Sequence, residues 1–168
     1  MIDAQHLILD KDKIFQKIRR LAYHIYENNS QENEIVFAGV QESGFVLAQL
    51  VGQEFSKISP IPLRMVGISL DKFMPLQTDI VLDCELRFLE NKTIILFDDV
   101  MNTGRTIAYS LKPFLNMPIK KLQTLVLVNR GHSVFPISAD YVGYDLNTTI
   151  NQHVTVLLKD ENFGVYLH

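Results

Sequence analysis

The sequence predicts an α/β protein built on a mainly parallel central sheet flanked by helices. Three observations predict it. Runs of strand length that are mostly apolar recur at Ile35–Val40 and 93–97, and 121–128 ends in the apolar Leu125 to Val128, the form of strands buried on both faces. The first two runs each lead through a short polar loop into a segment with helical apolar spacing, giving two strand–loop–helix units. The chain has 168 residues, a length that favours one domain, 1–168, with a sizeable core.

In chain order, His6 to Leu9 is a short apolar run, a strand or extended arm. Asp10 or Asp12 can cap the helix that follows. Ile14, Ile18, Leu21, Ala22 and Ile25 recur at helical spacing, which predicts an amphipathic helix over 11–28. Its polar side carries Lys13, Lys17, Arg19, Arg20 and His24. After the Ile35–Val40 strand comes the loop Gln41-Glu42-Ser43-Gly44, and then a helix with Phe45, Leu47, Ala48, Leu50, Val51 and Phe55 on its apolar faces. The next strand is 64–70. Residues 71–91, with Lys72, Phe73, Pro75, Asp83 and Arg87, lose the helical period. So long a stretch between core strands is often functional, and 80–82 and 85–89 have the form of a β-hairpin. Beyond the 93–97 strand, Ile107, Leu111, Phe114 and Leu115 mark a helix that Pro113 shortens or kinks. Strands follow at 121–128, 141–146 and 154–158. The tail, 160–168, has alternating apolar residues and reads as an edge strand. The two chain ends together suit a small cap.

The composition, 47% hydrophobic and 21% charged, is that of an ordinary soluble globular protein. No apolar run has the length of a membrane span, and the N-terminus lacks the form of a secretory signal. The single cysteine, Cys84, excludes an intramolecular disulfide and a cysteine-rich metal site. These features point to the cytoplasm. A net charge of −3 does not suggest wholesale nucleic-acid binding, although the basic helix face leaves RNA open as a partner.

The chemistry concentrates in KTIILFDDVMNTGRTIAYSL, residues 92–111. A buried strand ends in Asp98 and Asp99, and Asn102-Thr103-Gly104-Arg105-Thr106 then turns into a helix. Ligands of open α/β sheets sit beyond the carboxyl ends of the strands. Free N–H groups at a helix start, beside threonine hydroxyls, suit a phosphate. Adjacent carboxylates suit sugar hydroxyls or a hydrated Mg²⁺. The pattern points to a phosphorylated sugar.

This stretch resembles the 5-phosphoribosyl-1-pyrophosphate (PRPP) motif of the type I phosphoribosyltransferases: an apolar run, Asp-Asp, two apolar residues, a variable residue and Thr-Gly-Arg-Thr. Residues 127–143, LVNRGHSVFPISADYVG, resemble the branch of the bifunctional pyrimidine operon attenuation protein and uracil phosphoribosyltransferase through Arg130-Gly131, Pro136-Ile137 and Ala139-Asp140-Tyr141-Val142-Gly143. The resemblance covers most of the chain. It implies the type I fold with a flexible arm, here 71–91, and transfer of ribose 5-phosphate from PRPP to a nucleobase, uracil being the leading guess. Asp98 and Asp99 would hold the ribose hydroxyls, in part through Mg²⁺. Asn102, Thr103, Gly104, Arg105 and Thr106 would cradle the 5-phosphate, and Gln41, Glu42, Ser43 and Gly44 would face the pyrophosphate. Lys72 and Arg87 are arm candidates, Lys72 taken as the catalytic one. Arg130, Tyr141 and Val142 would lie near the base. A homodimer or higher homo-oligomer is the usual assembly.

The chain also departs from that branch. Gln41-Glu42-Ser43-Gly44 replaces Lys-Thr-Arg-Gly, so both bases of the pyrophosphate loop are absent. Leu70-Asp71-Lys72-Phe73 replaces Tyr-Arg-Asp-Asp, and Lys72 can supply the charge of that arginine but not its bidentate fork. Three functions are therefore open: a nucleobase phosphoribosyltransferase, an RNA-binding regulator that senses nucleotides, or a non-catalytic binder of PRPP or a nucleotide.

Overall fold

A computed structural model describes residues 6–74, 76 and 79–168; Pro75, in the expected arm, lies outside the described residues. The elements are β1 (His6–Asp10), α1 (Lys11–Asn29), β2 (Ile35–Val40), α2 (Ser43–Ile58), β3 (Leu63–Ser69), β4 (Val81–Leu82), β5 (Thr93–Met101), α3 (Arg105–Ser110), α4 (Lys112–Leu115), β6 (Lys121–Asn129), β7 (Tyr141–Asp145), β8 (Val154–Leu157) and β9 (Gly164–Leu167). The main sheet has the order β4-β3-β2-β5-β6-β7, parallel throughout except for β4. The chain leaves β2 for β3 on one side, and β5 lies on the other. The loops after β2 and β5 therefore diverge, and the crevice between them is the topological switch point where such sheets bind ligands.

The strands sort their side chains by parity. Phe37, Phe97 and Leu125 face α1 and α2, while Val36, Ala38, Ile94, Leu96 and Val126 face α3 and α4. Phe37 anchors the first layer, with ring centroids 4.7 Å from Phe97 and 5.6 Å from Phe55. The helix α1 starts where Asp10 Oδ1 accepts a hydrogen bond from the Lys13 N–H at 2.9 Å. It buries Ile14, Ile18, Leu21, Ala22 and Ile25, a full apolar stripe; each large side chain there contributes about 1.5–3 kcal/mol by leaving water.

Several expectations change. The 80–82 and 85–89 segments do not pair with each other. Val81 and Leu82 pair antiparallel with Ser69 and Ile68, and Leu86–Phe88 forms one 3-10 turn. Asp83 enforces this, because its carboxylate accepts from the Gly67 N–H at 2.7 Å while its own N–H donates to the Gly67 carbonyl at 3.1 Å. The tail is not an edge strand: β9 is the middle of a separate antiparallel sheet, β1-β9-β8, because the N-terminal strand takes the outer position. Pro113 does split the segment after the motif, into the six-residue α3 and four-residue α4. Leu115, expected on the apolar face, is 69% exposed.

Tyr141 also moves away from the nucleobase role. It shares the parity of Gly143 and faces α1, fully buried. Its hydroxyl donates to Gln123 Oε1 at 3.0 Å and accepts from Asn29 Nδ2 at 3.2 Å, and His24 packs edge-on against its ring at 5.0 Å. It is a core residue that ties α1 to the sheet. Tyr141→Phe should cost about 1 kcal/mol, the net worth of a buried hydrogen bond, read as a lower urea midpoint at unchanged slope.

Candidate active site

Two strand ends and one loop build the site. At the end of β2, the Gln41 N–H donates to the Ile68 carbonyl at 2.9 Å, and Gln41 Oε1 accepts from the Ser69 hydroxyl at 3.0 Å. The Gln41–Glu42 peptide bond is cis. Glu42 is exposed and precedes α2 without forming a side-chain cap. Gly44 has the close approach that its sequence position suggests. A Cβ there would meet the Phe97 carbonyl oxygen at 2.6 Å and Asp98 Cα at 3.1 Å, so only glycine lets the start of α2 lie directly on β5.

The strand β5 runs four residues beyond the 93–97 run, through both acids, because pairing with β6 persists to Met101 opposite Asn129. Asp98 has the parity of Ile94 and Leu96 and is buried, with 1% exposure. Its Oδ1 accepts from Lys72 Nζ at 2.9 Å and from the Asp99 N–H at 3.0 Å. Lys72 also reaches Asp99 Oδ1 at 3.3 Å. Burial first, and then the Asp99 charge, push the Asp98 carboxyl up to about 7 despite the lysine. Burial opposes the charge on Lys72, but the two carboxylates outweigh it and hold the ammonium above its ordinary value. Lys72 is thus brought to the acid pair. Arg87 is not: it pairs with Glu85 and lies over the Phe88 ring at 5.0 Å.

The turn after β5 closes around Gly104, at φ +83°, a left-handed conformation that glycine adopts without strain. The Thr103 carbonyl accepts from the N–H groups of Val134 and Phe135 at 2.9 and 3.0 Å, tying the turn to the segment after β6. Thr103 Oγ1 accepts from the Arg105 N–H at 3.3 Å. Asn102, Thr103, Gly104, Arg105 and Thr106 line a hollow of about 60 Å³ that Asp98 also borders. The Arg105 guanidinium is turned to the Phe135 ring, 5.7 Å away.

A larger cavity of about 330 Å³ lies between the start of α2 and the cap sheet, where Glu42, Ser43 and Val46 face Val156, Leu158, Lys159 and Asn162. Sequence reasoning did not find the cap residues of this wall, because no local pattern reports that β8 and its following turn lie over α2. Conversely, Arg130, expected near the base, holds a loop. It is 6% exposed; its Nε donates to Thr148 Oγ1 at 3.0 Å, and its Nη2 donates to the carbonyls of Thr149 and Gln152. Burial lowers its pKa, and the guanidinium is committed to these partners. Val142 pairs with Val126, which is itself opposite Asp98; it therefore stands level with the acid pair, two strands away and on the same face.

Among the described residues, no group of three or more His, Cys, Asp or Glu gathers to hold a metal. Asp98 and Asp99 offer two carboxylates. That suits Mg²⁺, which keeps several waters and takes the rest of its ligands from substrate oxygens.

A three-layer sheet with its switch point between an acid pair and a Thr-Gly-Arg-Thr turn is the architecture of a type I phosphoribosyltransferase. The phosphoribosyl transferase domain family matches residues 5–161, and the chain belongs to it. Among its relatives are two proteins named Bifunctional protein PyrR. That of Macrococcus caseolyticus is 29% identical over 171 residues, covering 97% of this chain and 98% of the relative. That of Clostridium kluyveri is 34% identical over 160 residues, covering 92% and 90%. The hypoxanthine phosphoribosyltransferase of Trypanosoma cruzi superposes with a TM-score of 0.79 at 18% identity, covering 96% of this chain and 94% of that one; it shares the fold.

Asp98 yields a pH prediction. The folded state holds its proton to about pH 7, whereas the unfolded chain releases it near the ordinary value of about 3.9. Between these values the folded state binds more protons, so this group's contribution to stability is full below about pH 4 and is lost as the pH rises towards 7. Urea midpoints measured from pH 5 to 7.5 should fall less with pH in Asp98→Asn than in the parent. A Cβ in the Gly44→Ala variant overpacks β5, at a cost of about 1–3 kcal/mol, measurable in the same titration.

Proposed function

We propose that this protein transfers ribose 5-phosphate from PRPP to a nucleobase, uracil being the leading acceptor, and releases pyrophosphate as part of nucleotide salvage. The observation that carries the proposal is the adjacency of the acid pair to the phosphate-sized hollow at the switch point, with a larger pocket under the cap beside them. The relatives named Bifunctional protein PyrR support the same reading. A base nitrogen attacks C1 of the sugar, the bond from C1 to the pyrophosphate oxygen breaks, and pyrophosphate leaves with the electron pair. The transition state is oxocarbenium-like, so the protein's task is positioning and charge stabilisation.

In this reading Asp98 and Asp99 accept hydrogen bonds from the ribose 2- and 3-hydroxyls. The turn from Asn102 to Thr106 cradles the 5-phosphate, with Arg105 contributing its backbone. Gln41, Glu42, Ser43 and Gly44 face the pyrophosphate, and Lys72 supplies the positive charge that this loop lacks. Val46, Val156 and Leu158 form an apolar wall for the base, with Ser43 and Asn162 as polar partners. Asp98 and Asp99 would hold a Mg²⁺ ion, which would supply neutralising charge for the pyrophosphate. A homodimer or higher homo-oligomer and a cytoplasmic location accord with the family; among the described residues no helix is long and apolar enough to cross a membrane.

A second role, as a pyrimidine-responsive RNA-binding regulator, is favoured by the α1 face. Arg20 is spent on the carbonyls of Val142 and Gly143 at 3.0 and 2.7 Å, and Lys17 lies over the Tyr144 ring at 4.9 Å. Lys13, Arg19 and His24 remain exposed, and self-association doubles them. Binding to an RNA hairpin should weaken steeply with added salt; no binding even at low salt removes this role.

The enzyme reading is tested by incubation with PRPP, Mg²⁺ and a panel of bases, following nucleotide and pyrophosphate together. UMP should form from uracil, and Asp99→Asn should lower kcat by about 10²-fold, the scale of one lost transition-state contact. PRPP binding without product from any base would rule out transfer and leave a nucleotide-binding role.

A further inference from the structure

Lys72 stands where the proposed chemistry puts a divalent cation. Its ammonium lies 2.9 Å from Asp98 Oδ1 and 3.3 Å from Asp99 Oδ1, so a single positive charge bridges both carboxylates. The chain is shaped to keep it there. Asp71 Oδ1 accepts from the N–H groups of Phe73 and Met74 at 2.8 and 3.2 Å, an Asx turn that bends the backbone directly after Lys72. On the other side β3 ends at Ser69, whose hydroxyl is bonded to Gln41. The lysine side chain is 35% exposed while that of Asp98 is 2% exposed. Lys72 therefore lies on the more exposed side of the acid pair.

The ammonium takes up one acceptor site on each Oδ1, and its charge repels a divalent cation brought to the same two carboxylates, so the two compete. We propose that Lys72 is the resident counter-ion of the acid pair and a latch on the arm. It offsets part of the negative charge of the acid pair and pins the 71–74 turn to β5. A divalent cation displaces it, and the start of the arm is released in the same event. The inference rests on the reading of Asp98 and Asp99 as the ribose and cation site, and it adds a coupling that this reading does not require. Its quantitative consequence follows from competition. The apparent affinity for a cation is the intrinsic one reduced by the fraction of molecules in which the lysine has left, so the protein alone binds divalent ions weakly until the latch is removed.

Mn²⁺ is the probe, its free concentration read by electron paramagnetic resonance at pH 8 with no substrate present. Lys72→Gln should bind Mn²⁺ at least about tenfold more tightly than the parent, about 1.4 kcal/mol. Lys72→Arg, which retains the charge, should stay within about twofold. Equal or weaker binding by Lys72→Gln overturns the proposal while leaving the site assignment standing. Failure of the parent and the variant to bind Mn²⁺ even with PRPP present overturns the assignment and the latch together. The unmodified protein provides a second measurement, independent of the folding of any variant. The ¹⁵N-resolved ammonium signal of Lys72 should lose its carboxylate-bound shift as Mg²⁺ is added, and a signal unmoved at saturating Mg²⁺ contradicts displacement.

Discussion

One buried carboxylate at the end of the central strand sets the terms for its surroundings. Ionised Asp98 pays a desolvation cost that only close partners can offset. The strand supplies one of them, the Asp99 N–H, but also places a second carboxylate beside it. The other partner, Lys72, comes from the start of the segment between β3 and β4. The helix α2 approaches the same point so closely that Gly44 has no room for a side chain against the Phe97 carbonyl. The strand, the helix start and the base of the arm thus converge on one residue, and the ligand crevice is the space left between them.

The charge around that crevice is unevenly distributed. The turn on the β5 side offers backbone N–H groups and threonine hydroxyls, while the loop after β2 offers an amide, a carboxylate and a hydroxyl. A site for a doubly phosphorylated sugar needs positive charge on both sides. In the proposed reading it would come from Lys72, delivered by a different loop, and from a cation on the acid pair. A lysine on a mobile stem suits this duty, because its ammonium is a point charge that can exchange one set of oxygens for another.

Much of this architecture was legible in the sequence, where local pattern and tertiary environment agree. All six residues of β2 are apolar and all six are buried, so its limits were read without error. The 3.6-residue stripe of α1 was clear for the same reason. The acid pair and its turn were legible because their chemistry is local. What escaped depends on partners distant in the chain. The strand β5 continues through two carboxylates because β6 offers a ladder, which no propensity for aspartate would predict. The face of Tyr141 depends on strand parity, and a one-residue shift reverses it. Arg130 has the composition of a binding residue, yet its bonds to Thr148, Thr149 and Gln152 make it a brace. The two-residue β4 is too short for any periodic signal.

The cap sheet is a separate unit of the fold. It joins β1, which precedes the main sheet in the chain, to β9 and β8, which follow it, and it has no strand in common with the main sheet. One wall of the larger pocket, at Val156, Leu158, Lys159 and Asn162, belongs to this cap, whereas the acid pair belongs to β5. Opening of the cap ladders would therefore unmake the pocket wall while the main-sheet ladders stay intact, so the two halves of the site can differ in local stability.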